Sequence, residues 1–566
     1  MQLIFRSALF CAALTISFPA FAAEPPGVLS ASDVRVYNAI FEAQREGNIG
    51  KAETLARDLS DKSLMGYVLM HRYLEARHYK TSFSDLKSWM EDYAELPPAG
   101  RIYQLALKRR PNRKTHVPAP VSVHWRASGG GVESAVEPAM QTALGASTQA
   151  RFRSYVHDGQ PDSANAVLKN LSAGADITQA DIDRLSAYVA ASYLAEARDT
   201  DALALAESVS ERGRINAPMA DWTAGIAAYR LRDYPRAARH FEALTQASGL
   251  PSYNYSAAAF WAARSYQRSG EPARVVALYG RAASEPETFY GMLATHLLGR
   301  DRARNLAEPS FDTASFNALM RNKAARRAVA LHQIGKSEYV DDELMRAYSD
   351  IDPDQAVAFA ALARYCGEAA LELKAAQIAA RRGVYLTSLY PVPSYAPHGG
   401  YQVDTALMLA FARQESGFDD NAVSRAGARG VMQVMPDTAA KIEGDKKLAG
   451  KHKKRLDEPG YNMALGQKYL RDMLERQNGN LFTLAAAYNA GPGSLSRWLS
   501  VREGNDDALL FVESVPAPET RRYIKQVMLN LWMYAQRFGQ TDATLDAVAA
   551  GRWPIYSEYA KTASLY

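Results

Sequence analysis

The 566-residue sequence predicts an all-α protein: an N-terminal helical superhelix, or solenoid, followed by a mostly helical domain of different character. Three observations predict it. From about residue 30 to 386 the chain is rich in alanine, and its apolar residues recur at helical spacing without convincing strand alternation. Helix pairs joined by short turns recur along that stretch. A break at 389–400 then brings Pro391, Pro393 and Pro397 with Gly399 and Gly400, which reads as a domain boundary.

Composition narrows the class. Hydrophobic residues make up 48% and charged residues 22%, ordinary proportions for a globular chain with no disorder signature. A chain of this length buries a sizeable core without disulfides or metals. The net charge of +5 is a mild basic excess. It suits an acidic partner and is too weak to argue for nucleic acid. No apolar run after the N-terminus approaches membrane-spanning length.

The first 22 residues read as a cleavable export signal. Arg6 supplies the positive end, residues 8–18 the apolar run, and Ala20-Phe21-Ala22 the small-residue cleavage site. The run is too short to span a bilayer, and Pro19 interrupts it. The expected location is therefore the periplasm. Cleavage would remove Cys11 and leave Cys366 alone, in an apolar helical stretch. The mature chain then holds itself together by packing, and Cys366 reads as buried and inert.

Residues 23–388 form the expected superhelical domain. Arg45-Glu46-Gly47-Asn48 separates one helix pair. Arg232-Asp233-Tyr234-Pro235 separates another, and Ser269-Gly270-Glu271-Pro272 a third. Tyr229, Pro235 and Phe241 superpose on Tyr266, Pro272 and Leu278 at a constant offset. Proline in these turns fits the first turn of the helix that follows. The pattern resembles degenerate tetratricopeptide-like pairs, each leaving an apolar face for the next to cover. An irregular insertion near 110–131, rich in Pro, Gly and Val, interrupts the repeats.

Residues 389–566 form the second expected domain, and its chemistry starts at residues 404–417. Asp404 or Thr405 can cap a helix, and Gly417 can end it. Met408, Phe411 and Ala412 mark an apolar face at i, i+3 and i+4, and the next position on that face is Glu415. Desolvation there raises a carboxyl's pKa, as a general acid near neutral pH requires. On this helix alone, a structural glutamate paired with Arg413 or Arg425 remains the competing reading.

Four further blocks follow in order: Gly430-Val431-Met432-Gln433-Val434-Met435-Pro436, Asn462 with Gly466 and Tyr469, Ala487-Tyr488-Asn489-Ala490-Gly491, and Glu513-Ser514-Val515-Pro516 with Glu519-Thr520-Arg521-Arg522-Tyr523. Together with Glu415-Ser416 they resemble the catalytic domain of the soluble lytic transglycosylases, which has a goose-type-lysozyme-like fold. The resemblance covers about residues 401–538. Phe289-Tyr290-Gly291-Met292 looks like a short signature of the same family's superhelical domain. The sequence departs from the family pattern at 418–421 and at Val431, and neither change touches a reacting group.

That resemblance implies a role for each matching residue. Glu415 is implied as the catalytic acid and base. Ser424 is implied near the substrate's N-acetyl group, Gln433 and Met435 in the cleft, and Tyr488 and Asn489 at the catalytic centre. Glu513 and Tyr523 are implied on the cleft wall. The implied activity is non-hydrolytic cleavage of the MurNAc-β-1,4-GlcNAc bond of peptidoglycan, leaving 1,6-anhydro-MurNAc ends. A single carboxylate suffices if the sugar's own acetamido oxygen attacks the anomeric carbon. The implied partners are peptidoglycan glycan strands, with the superhelix open to cell-wall synthases or other wall enzymes.

The remaining features read more plainly. Asp419 and Asp420 read as a solvated loop, being too near Glu415 along the chain to face it across a sugar. The ten histidines show no metal-ligand spacing, so neither metal nor cofactor is expected. Residues 446–455 form a basic loop, read first as a solvated insertion and otherwise as a contact for peptide-stem carboxylates. Two rival functions share most of these features: a lysozyme-like hydrolase, and a non-catalytic wall-binding scaffold.

Overall fold

The computed structural model describes residues 27–75, 77–121, 139–300, 306–500, 507–541 and 543–556. The expected export signal at 1–22 lies outside the described residues, as does the 122–131 part of the expected insertion. Residues 110–121 are irregular, as expected. The described residues form α-helices and short 3-10 turns, with isolated β-bridges and no extended strand. Among them, no helix is long and apolar enough to cross a membrane.

Local sequence explains where the helices begin and end. Ser30 caps Ala31–Arg45 by accepting from the Asp33 amide at 3.0 Å. Ser82 and Asp85 form a reciprocal capping box at the start of Phe83–Tyr93. Asp233 caps Tyr234–Leu244, whose first turn carries Pro235. Gly270 ends Ser252–Ser269 in the left-handed conformation, at φ 82°. Small residues let paired helices approach closely. A Cβ added at Gly225 would lie 2.6 Å from the Phe241 ring.

The chain folds into two compact units, and neither is continuous in sequence. The first takes the described residues up to 121 and residues 307–391. Its early and late helices are fastened by Glu343, which has no solvent exposure. Its carboxylate accepts from the Tyr67 hydroxyl at 2.8 Å and from Arg327 at 2.5 and 2.9 Å. Desolvation raises the Glu343 pKa in spite of those partners. The Gln333 side chain accepts from the backbone of Val28 and Leu29, 305 and 304 residues away. Cys366 belongs to this unit and is buried, with its thiol pushed well above the ordinary range by desolvation.

The second unit takes the described residues from 139 to 306 and from 392 to 556. Its repeat helices pack through an aromatic spine. Trp261 meets Tyr229 edge-on with centroids 5.0 Å apart, and Tyr290 lies 5.0 Å from Phe260. The same unit contains the helices that follow residue 400. Helix Phe289–Leu297 reaches them directly, since Phe289 stacks on Trp532 at 5.3 Å and 20°. His296 also lies 2.7 Å from Asp546. Stacked aromatic contacts of this kind contribute about 0.5–1.5 kcal/mol beyond the area they bury.

Candidate active site

Helix Thr405–Glu415 is the centre of the second unit's C-terminal half. Asp404 caps it by accepting from the Leu407 amide at 3.1 Å. Residues Ala406 through Ala412 are all buried, so the helix is enclosed on every side rather than on one face. Helix Pro518–Arg537 packs along it. Arg413 donates to Asn530 at 2.6 Å, and Asn530 donates to the Ala410 carbonyl at 3.3 Å. Arg413 thus bonds a neighbouring amide, and the competing reading of an ion pair with Glu415 is not what the side chain forms.

Glu415 is the last residue of this helix, and it is half-buried. Its carboxylate accepts a short hydrogen bond from the Tyr523 hydroxyl. Burial pushes its carboxyl up to about 7, and the Tyr523 bond pulls part of the way back. No cation contributes to that balance. Among the described residues, Glu415 therefore behaves as a desolvated acid and not as half of an ion pair.

Tyrosines surround it. The Tyr523 and Tyr488 rings lie 6.2 and 5.0 Å from Phe411, one turn earlier on the glutamate's helix. Burial and the neighbouring Glu415 hold both hydroxyls protonated, far above the usual tyrosine pKa. The Tyr488 hydroxyl donates to the Met432 carbonyl at 2.9 Å, so its proton is already committed. Asn489 accepts from Thr520 at 2.7 Å, and Thr520 lies one turn before Tyr523 on the same helix. Tyr488, Asn489, Thr520 and Tyr523 thus link two helices around one carboxylate.

Residues 423–434 form a small bridged wall. Val423 pairs with Arg429, and Arg429 pairs with Val434. The Ser424 hydroxyl, exposed, accepts from the Ala428 amide at 3.0 Å and pins the loop. Gln433 takes a left-handed conformation, φ 45°, and its amide donates to the carbonyls of Ala422 and Gly430 at 3.1 and 2.9 Å. Met435 is exposed at the head of helix Pro436–Glu443. Ser416 ties the wall to the glutamate's helix by donating to the Val431 carbonyl at 2.9 Å.

Asn462 anchors the wall from beneath. It is fully buried, accepts from the Met432 amide at 2.8 Å, and donates to the carbonyls of Arg429 and Leu456 at 2.9 and 2.8 Å. Gly430 (φ 72°) passes so close that a Cβ would sit 2.3 Å from the Leu456 carbonyl oxygen. No side chain fits there.

One expectation, the solvated loop at Asp419 and Asp420, needs correction. The Glu513 carboxylate, implied on the cleft wall, has partners of its own. It is buried, accepting from the Tyr290 hydroxyl at 2.5 Å and from Lys525 at 2.8 Å. It faces a cavity of about 190 Å³ whose lining includes Trp222, Tyr290, Arg521 and Lys525. Asp419 and Asp420 are half-buried rather than solvated, because Phe418, with φ 72° and 3% exposure, folds their loop back onto the domain. Burial raises the Asp420 carboxyl. Its oxygen accepts from the Asn421 side chain at 2.8 Å.

Sequence reasoning also missed some of the wiring. Tyr523, implied on the cleft wall, also bonds the acid itself. Thr520, three residues earlier, was given no role. Their i, i+3 spacing on one helix was the available signal. Asn462 is the anchor, and its signal in the sequence is a lone asparagine amid the apolar positions of Pro459–Arg476, which marks a satisfied buried amide.

Among the described residues, the second unit combines repeat helices with a helical segment that holds a desolvated carboxylate among tyrosines. Residues 395–511 match the family model of the transglycosylase SLT domain. A soluble lytic murein transglycosylase of Escherichia coli K12 is 35% identical over 154 residues, 27% of this chain and 24% of that protein. Its counterpart in Salmonella typhimurium is 37% identical over 149 residues, 26% of this chain and 23% of that protein. The chain thus spans about a quarter of the length of these relatives. An inactive Glu-to-Gln mutant of lytic transglycosylase Slt from Pseudomonas aeruginosa shares the fold, with a TM-score of 0.55 at 20% identity, covering 92% of this chain and 99% of that one.

Proposed function

We propose that the chain is a peptidoglycan lytic transglycosylase with Glu415 as its single acid and base. The observation that carries this reading is a lone carboxyl raised to about 7 by burial, with a tyrosine hydroxyl as its partner and no cation beside it. An acid with a pKa near the working pH can both give and take a proton within one turnover. The relatives' names, and their matches to the same segment, support the reading.

Glu415 gives its proton to the glycosidic oxygen as the C1–O bond of N-acetylmuramic acid breaks. The acetamido oxygen of that sugar attacks C1 from within and forms a bicyclic oxazolinium. Glu415, now a carboxylate, takes the proton of the 6-hydroxyl. O6 attacks C1, the acetamido group is restored, and a 1,6-anhydro ring closes. No water is consumed, and the enzyme returns to its starting protonation state.

In this scheme Tyr523 steadies the carboxylate between the two proton transfers. Ser424 and Asn489 position the acetamido group, while Gln433, Met435 and Tyr488 shape the wall. Residues 23–388 serve as the superhelical domain and 389–566 as the catalytic one. With residues 1–22 as an export signal, the enzyme acts in the periplasm, in turnover and remodelling of the wall. Partner wall enzymes would dock on the helical repeats.

Digestion of purified peptidoglycan followed by mass spectrometry tests the proposal. The expected products carry anhydro ends, one water lighter than reducing ends. Reducing ends would assign a hydrolase, and no release a scaffold. Glu415→Gln should abolish turnover with the helical content unchanged, and an active variant would end the proposal.

A further inference from the structure

The basic segment at 446–455 contains six cations and no acidic residue. It is an ordered double turn, formed by the 3-10 helices Lys446–Ala449 and Lys453–Asp457. Leu448 and Leu456, both fully buried, anchor the two turns. Five lysines, Lys446, Lys447, Lys451, Lys453 and Lys454, stand exposed on this base.

Asp445 acts on Lys447 without an ion pair, and the other nearby carboxylates are engaged elsewhere. Glu443 pairs with Lys468 at 2.6 Å, and Asp457 with Arg429 at 2.8 Å through both oxygens. Glu458 caps helix Pro459–Arg476 through the amides of Gly460 and Tyr461. Asp445 accepts from the Lys447 amide at 2.9 Å and lies 3.7 Å from His452. Among the described residues, no ion pair takes up the five lysines.

The turn is also wired to the active site. The Leu456 carbonyl accepts from Asn462, Asn462 accepts from the Met432 amide, and the Met432 carbonyl accepts from Tyr488. The Arg429–Asp457 pair joins the same turn to the bridged wall. The cations therefore sit in a fixed relation to the carboxylate that does the cutting.

Resting on the transglycosylase reading, we propose that this double turn is a landing surface for the peptide-stem carboxylates of the same polymer. Lysines on flexible stems accept carboxylates at irregular spacing, as cross-linked and trimmed stems present them. The contact raises the local concentration of substrate and weakens with salt. The chemical step does not involve it.

The test neutralises the five lysines together to glutamine, with Leu448 and Leu456 retained. The substrates are intact peptidoglycan and amidase-treated, peptide-free glycan strands. On intact polymer at low salt the KM should rise roughly tenfold with kcat unchanged, since several weak exposed contacts are lost together. On peptide-free strands variant and wild type should coincide, and high salt should erase the difference on intact polymer. Should the fivefold variant melt early, Lys446/Lys447 and Lys453/Lys454 neutralised as separate pairs should give smaller, additive KM increases.

An unchanged KM on intact polymer, or an equal rise on peptide-free strands, overturns the inference. So does loss of binding to anionic phospholipid vesicles with peptidoglycan kinetics intact, which would assign the surface to a membrane. Co-sedimentation of the Glu415→Gln chain with intact peptidoglycan reads the lysines without turnover. Failure of the enzyme to cut at all is thereby distinguished from failure of this surface.

Discussion

Glu415 must change protonation state twice in each turnover, and Tyr523 sets how readily it does so. The tyrosine hydrogen bond favours the carboxylate and holds the pKa down. Tyr523→Phe should therefore raise the pKa further and move the alkaline limb of the kcat/KM profile to higher pH, with kcat lower because the carboxylate loses its support. A pH–rate profile of the variant checks the direction. The same raised pKa governs stability. Folded Glu415 binds its proton up to about 7 against 4.5 for an unperturbed glutamate carboxyl. Its favourable contribution is complete below the unfolded value and fades as pH rises through the folded one. Glu415→Gln should gain on the wild type by about 1–3 kcal/mol above neutrality and lose that advantage in acid. Melting temperatures compared near pH 5 and pH 8 show whether the gap opens as stated.

At the scale of elements, the active site is two helices and a bridged wall, and these differ in how far the sequence announced them. Helix Thr405–Glu415 was legible in its cap, its apolar run and its final glutamate. The wall was not, because its shape depends on left-handed backbone at Phe418 and Gln433, which neither residue type announces. The wall hangs on Asn462. Asn462→Ala should cost about 2–3 kcal/mol, since it leaves the buried Met432 amide and the Leu456 carbonyl without partners and takes one of two bonds from the Arg429 carbonyl. Denaturant unfolding measures the loss, and the Tyr488–Met432 contact should loosen with it. Gly291→Ala tests a second element, since its Cβ would lie 1.8 Å from the Glu285 carbonyl oxygen and force helix Phe289–Leu297 to shift.

On the scale of the molecule, the break at 389–400 was readable from proline and glycine. The joining of the described residues of 139–306 with those of 392–556 in one compact unit was not. Local periodicity reports which face of a helix is apolar, and it does not name the partner several hundred residues away. One contact that joins these segments falls on Tyr290 and Glu513, 223 residues apart. Tyr290→Phe should destabilise the unit by about 1–3 kcal/mol, because a buried carboxylate then keeps Lys525 as its remaining partner. Its kcat should stay near wild type, since Glu513 is bonded away from Glu415. Thermal melts and steady-state rates on one preparation separate the two effects.

The same contact limits how the protein can be dissected. A fragment beginning at residue 392 would retain Glu415 and its tyrosines but lose Phe289 and Tyr290. The Trp532 face would be bared to water, and Glu513 would lose the Tyr290 hydroxyl. Such an excised domain should aggregate or stay dim in assays, although every reacting group is present. Supplying residues 139–306 as a separate co-expressed chain should restore it.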